Sequence, residues 1–196
     1  MTTHPSYVID TNAIIDLYKA DLITNLFLLP CRFVVTDFVQ KELLHPPFAA
    51  LVDMGLSVQS LSSDSVQELM DLIDRYPHPS YADLSVLLLA KQLHRPLLTG
   101  DRALIYVAVA HGVEWCGTCW LLDYMVNSRV ITPEMAIGAW QRMRSHGRNP
   151  PRDECQETII QWKKYRGIFL SSQEELSGEI RLPFLFLTTH LFSLSQ

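Results

Sequence analysis

The spacing of apolar and polar residues changes period repeatedly along this 196-residue chain. Short apolar runs, "YVI" (7–9), "RFVVT" (32–36), "LSVQSL" (56–61), "PLL" (96–98) and "VEW" (113–115), suit strands, and segments with apolar residues every three or four positions follow them. After the first strand, Ala13, Ile14, Leu17 and Tyr18 mark one face of a helix. "DFVQKELL" (37–44) predicts a second helix, which Pro46 and Pro47 end because proline supplies no N–H and clashes with the preceding turn. "SVQELMDLIDRY" (65–76) and the strongly apolar "YADLSVLLLAKQL" (81–93) follow, the latter reading as a buried helix. "RALIYVAVAHG" (102–112) ends in Gly112 as a C-cap. Periodicity predicts three further helices, at about 118–127, 134–146 and 153–166.

Strands alternating with helices through residue 127 predict a parallel sheet with helices on both faces, a three-layer α/β/α domain with a helical C-terminal extension. The boundary falls at 1–166, leaving 167–196 as an apolar tail. Within it "LPFLFLTTHLFSL" (182–194) is shorter than the ~20 residues a membrane helix needs, which leaves a strand, a docking segment or an added extension.

Composition narrows the class. Apolar residues at 48% against 19% charged describe a globular chain, not a disordered one. "MTTHPSYVID" has no basic stretch followed by an apolar one, so no secretory signal is read and a cytoplasmic location is the default expectation. Cys31, Cys116, Cys119 and Cys155 are then expected as reduced thiols. A formal charge of −5 is not that of a typical nucleic-acid binder, but residues 142–166 hold seven basic side chains against three acidic ones. Such a distribution pairs a basic track, including Arg142, Arg144 and Arg148, with an acidic remainder, although a charge run also serves as a solvated helix face.

The acidic residues recur at one kind of place. Asp10 follows "YVI" and Asp101 follows "PLLTG", so both stand at strand-to-helix junctions, the edge of a parallel sheet where ligands bind. Asp83 lies in the first turn of the buried helix and Glu42 on the helix after the second strand. Each has a local explanation: Asp10 as a helix cap, Ser80 and Asp83 as a capping box, Asp101 as a turn or cap residue, Glu42 as an exposed helix residue. Jointly they predict convergence, with oxygens of at least three near enough to share a cation. Carboxylates brought together repel and raise each other's pKa unless a cation joins them, and hard ions such as Mg²⁺ or Mn²⁺ take all-oxygen sites.

The succession "IDTN", "KEL", "YAD…LLLA", "LLTGD" resembles the PIN-domain family of metal-dependent ribonucleases, including VapC-like toxins and related prokaryotic PIN proteins, from about Tyr7 to Gly117. "GTCWLLDYMV" is similar to the ending of one PIN subgroup. The resemblance implies a parallel sheet between helical layers. It also implies Asp10, Glu42, Asp83 and Asp101 as the catalytic, Mg²⁺- or Mn²⁺-binding residues, with Asn12 and Thr99 supporting them. Single-stranded RNA is the implied substrate, gripped through Arg102, Arg142, Arg144 and Arg148. A homodimer and an antitoxin protein are the implied partners. The chain departs from many members where Arg102, Ala103, Leu104 and Ile105 follow Asp101 without a further acidic residue, which puts a second metal position in doubt.

Other classes fit less well. "CGTC" (116–119) before a helix suggests a redox or zinc protein, but lies far from the first strand–helix unit. A haloacid-dehalogenase-like phosphatase wants a second Asp where Asn12 stands. A PIN scaffold that binds RNA or protein without cutting it is the non-enzymatic alternative.

Overall fold

The computed structural model describes residues 4–145 and 152–171. Five strands, β1 (Ser6–Ile9), β2 (Arg32–Thr36), β3 (Ser57–Gln59), β4 (Leu97–Leu98) and β5 (Trp115–Cys116), form one sheet in the order β3-β2-β1-β4-β5, and every neighbouring pair is parallel. β1 is central, and Val8 and Ile9 are fully buried, whereas the edge strand β3 is exposed along its length. The sequence therefore runs from β1 outward to one edge and returns to lay β4 on β1's other side. The crevice between β1 and β4 is the topological switch point, where neighbouring crossovers leave in opposite directions and the strand ends open onto solvent.

Helices cover both faces. α1 (Thr11–Lys19), α2 (Ile23–Leu26), α8 (Thr118–Asn127), α9 (Pro133–Ser145) and α10 (Arg152–Ser171) pack among themselves. So do α3 (Asp37–Glu42), α5 (Ser63–Arg75), α6 (Tyr81–Leu93) and α7 (Arg102–Ala110), while α4 (Phe48–Asp53) leads into β3. The three-layer α/β/α arrangement expected from the alternation is present. α6 is the pillar of its layer: every residue from Ala82 to Ala90 is buried, and the helix packs on β1, β2 and β4. Each large apolar side chain buried this way contributes roughly 1.5–3 kcal/mol. The start of α6 is fixed by a complete capping box between Ser80 and Asp83, so burial of the helix body and capping of its end together set where Asp83 stands.

Some boundaries differ from those predicted. α3 stops at Glu42, and Leu43 is already extended, before the two prolines. α2 and α4, four and six residues long, were not anticipated, because so few residues cannot display a helical period. The last strand is Trp115–Cys116, shifted toward the helix that follows. α10 extends the predicted 153–166 helix, and its Cys155, Ile159 and Trp162 form a buried stripe at helical spacing against α8 and α9. The tail expected at 182–194 lies outside the described residues.

The cysteines depart from the expectation of four thiols. Cys119 on α8 and Cys155 on α10 are joined as a disulfide with Cα atoms 5.5 Å apart, while Cys31 and Cys116 are free. The "CGTC" pair is thus divided: Cys116 ends β5, half-buried, and Cys119 turns inward one residue into the helix and meets α10.

Candidate active site

Three of the four predicted acids cap helices or close a capping box at the carboxyl edge of the sheet. Asp10 is the N-cap of α1, its carboxylate accepting from the Asn12 N–H, and it is fully buried. Asp101 is the N-cap of α7 and accepts from the N–H groups of Ala103 at 2.7 Å and Leu104 at 3.3 Å. Asp83, 4% exposed, accepts from the Ser80 N–H at 2.8 Å through Oδ2. The capping roles legible in the sequence are therefore real.

Register brings the first two together. Val8 pairs with Leu97 and Ile9 with Leu98, so Asp10 and Thr99 are level at the ends of adjacent strands. The Thr99 hydroxyl donates to Asp10 and accepts from the Asp101 N–H at 3.0 Å, and the Asn12 amide reaches Asp101 Oδ2 at 3.5 Å. Both supporting residues thus stand between the same two carboxylates. At the start of α6, Ser80 Oγ donates to Glu42 Oε2 at 3.1 Å and accepts from the Asp83 N–H at 3.1 Å. Asp83 Oδ1 is buried without a hydrogen-bond partner among the described residues.

Electrostatics couples the two halves. Burial pushes the Asp10 carboxyl up to about 8, with the Asp83 charge adding to the rise, the Thr99 and Asn12 hydrogen bonds opposing it, and the Asp101 charge adding a little more. Burial likewise raises Asp83, against the Ser80 hydrogen bonds and with smaller contributions from Glu42 and Asp101. Four acids feel one another across the switch point. Among the described residues, however, no three Asp, Glu, His or Cys side chains stand ready to hold one cation together, so the expectation of three oxygens already within sharing distance is not met. Asp10, Asp101 and Asp83 each commit a carboxylate oxygen to local N–H donors instead.

The predicted basic residues are dispersed. Arg102 is exposed at the first position of α7, immediately beside Asp101. Arg142 donates to the Ala20 carbonyl at 2.8 Å and lies 3.9 Å from Asp21, tying α9 to the far end of α1. That end is ten residues beyond Asp10, about 15 Å along a helix, so Arg142 has a bracing role away from the acids. Arg144 stacks over Trp140 at 4.7 Å beside a hollow of about 310 Å³ lined by Trp140, Gln141, Arg144 and Ser145. Arg148 lies outside the described residues.

Sequence reasoning missed Asp16, Ser80's link to Glu42, and Thr118. Asp16 is buried one helical turn beyond Asn12, with Oδ2 3.8 Å from where a side chain on Gly100 would begin; Thr118 Oγ1 lies 2.8 Å from that point. The signal for Asp16 was available, since a charge interrupts the apolar face formed by Ala13, Ile14 and Leu17. Nothing local in the sequence marked Thr118 as a neighbour of the Thr99–Gly100–Asp101 turn.

A family model described as DUF3368, PIN domain, matches residues 6–164, which spans all five strands and all four acids. No curated protein matches the chain. Among solved structures it is similar to a PilT N-terminus domain protein from the hyperthermophilic archaeon Sulfolobus solfataricus P2, at 15% identity and a TM-score of 0.41, over 63% of this chain and 92% of that one. With the family match covering the whole sheet and every residue of the acidic crevice, the chain belongs to the PIN-domain family.

Proposed function

We propose that this protein is a metal-dependent endoribonuclease that hydrolyses phosphodiester bonds of single-stranded RNA. PIN domains are generally nucleases, which supplies the reaction class. The observation that carries the metal is the coupling of Asp10, Asp83, Asp101 and Glu42 at the switch point, with Asp10 fully buried and Asp83 Oδ1 lacking a partner among the described residues. A buried carboxylate beside other carboxylates is costly to ionise, and a hard dication offsets that cost with oxygen ligands alone. The donor set is all oxygen, the chemistry such an ion takes, and Asp10, Asp101, Asp83 and Glu42 would hold it, although no three of them stand ready to share it among the described residues. Bound there, Mg²⁺ or Mn²⁺ supplies positive charge that favours deprotonation of the attacking water and stabilises charge building on the phosphate.

The chain's own residues have separable tasks. Thr99 fixes the Asp10 carboxylate while receiving the Asp101 N–H, so one hydroxyl sets the relative position of two acids. Asn12 holds Asp101 from the α1 side, and Ser80 does the same for Glu42 and Asp83. In this reading Arg102, exposed next to Asp101, would contact a phosphate entering the crevice.

Incubation of the purified protein with single-stranded RNA tests the proposal: cleavage requires Mg²⁺ or Mn²⁺, stops in EDTA and is lost in Asp10→Asn. Cleavage by the metal-free protein would contradict it. A toxin role, with an antitoxin protein as inhibitor, belongs to the same proposal and rests on the resemblance alone. Co-expression with the product of the adjacent open reading frame tests it, because an antitoxin would co-purify and suppress cleavage; absence of both effects removes the toxin role and leaves the nuclease.

A further inference from the structure

Beside the acids, α3 and α6 present a second group of side chains that phosphodiester hydrolysis does not itself use. Phe38 and Glu42 are four residues apart on α3 and so share a face of that helix. Glu42 reaches Ser80, the N-cap of α6, and Phe38 meets the next residue, Tyr81, edge to face, with ring centroids 4.8 Å apart at 68°. The Lys41 ammonium lies 5.7 Å from the centre of the Phe38 ring. Tyr81 remains 41% exposed, Phe38 is half-buried and Lys41 is exposed, while Asp83, two residues past Tyr81, is buried in the crevice. An aromatic pair and a cation thus stand at the lip of the acidic site.

We infer that Phe38, Tyr81 and Lys41 form a stacking subsite for an unpaired RNA base flanking the bond to be cut; this rests on the ribonuclease reading above. Every base has a π-face, so an exposed ring beside the crevice grips single strands without demanding a sequence. A base inside a duplex is already stacked on both sides and has no face to offer. Lys41, adjacent to Glu42, places a positive charge where the carboxylates would otherwise repel an incoming phosphate. Stacking and charge are therefore supplied by different residues and separate in a titration.

The test uses full-length protein carrying Asp10→Asn, so that binding is read without cleavage, and a short 5′-labelled oligouridylate, free or annealed to oligoadenylate, followed by fluorescence anisotropy. Tyr81→Leu is expected to weaken binding of the single strand about tenfold. Tyr81→Phe, which keeps the ring, stays near the parent, and duplex binding is unchanged by either. Lys41→Gln is expected to lower the salt dependence of single-strand binding by about 0.7 in log–log slope, which Tyr81→Leu leaves alone. Phe38→Leu gives an independent reading of the same subsite if Tyr81→Leu does not fold. The inference is overturned if ring removal leaves single-strand affinity unchanged, if Tyr81→Phe falls as far as Tyr81→Leu, or if duplex binding falls equally. If the parent binds neither form and the native protein cuts no RNA, the ribonuclease reading fails and takes the subsite with it. If the native protein cuts RNA but the variants match the parent, only the subsite fails.

Discussion

Asp10 is a carboxyl group enclosed by protein, and the pH behaviour of the molecule follows from that enclosure. Its folded-state pKa of about 8 stands above the ordinary 3.8, so the folded protein holds a proton that the unfolded chain gives up between those values. The associated stability is fully present below about pH 4 and is lost as pH rises through about 8. Metal-free protein should therefore show a falling Tm from pH 5 to pH 8 in EDTA, and Asp10→Asn, which cannot ionise, should fall much less; identical slopes would contradict the assignment. Metal binding should reverse the trend, because the cation displaces the proton and binds more tightly as pH rises. The neighbouring turn gives a steric prediction. Gly100→Ala would place a methyl 2.8 Å from Thr118 Oγ1, a buried, β-branched side chain with little room to move, and should cost roughly 1–3 kcal/mol in urea unfolding. Asp10 and Asp101 were legible in the sequence because each follows a strand, and Asp83 because it opens a helix; Glu42, the last residue of α3, stood out only as part of the joint pattern. Asp16 and Thr118 were not legible, because their proximity to Gly100 is created by packing between elements distant in the chain.

At the scale of elements, α8 and α10 are the most informative pair. The Cys119–Cys155 bridge closes a 36-residue separation that contains all of α9, and Trp162 on α10 donates to Asp123 on α8 at 3.0 Å. Constraining a loop of that length stabilises the folded state by about 3–4 kcal/mol in the chain-entropy account. Reduction with dithiothreitol should lower Tm clearly, and Cys119→Ser should reproduce the reduced value without changing further on reduction. Equal Tm with and without reductant would show that the bridge does not form in solution. Cys116→Ser should leave RNA cleavage intact, since Cys116 belongs to neither the acidic crevice nor the bridge. The late helices were legible from periodicity because α8, α9 and α10 are each ten residues or longer. Their pairing was not, because one C-x-x-C motif cannot reveal that a third cysteine, on another helix, faces its second member.

For the whole molecule, alternation of strands and helices implied a parallel sheet but left its order open. The order β3-β2-β1-β4-β5 is what turns four scattered acids into neighbours, since it lays β4 beside β1 and opens the crevice between them. Strand order depends on which helices share a face, and that is decided by packing over the entire chain. The homodimer that the family resemblance implies stays a proposal, and light scattering tests it: a dimer is expected, and a monomeric native protein would refute the pairing. The account's central claim, that the acids exist to hold a catalytic cation, is tested most directly by titrating Mn²⁺ into metal-free protein by calorimetry while following RNA cleavage in the same buffer. Binding and cleavage should rise together in the native protein, and both should be lost in Asp10→Asn and strongly weakened in Asp101→Asn. RNA cleavage at full rate without bound metal, or Mn²⁺ binding undiminished in both variants, would contradict it.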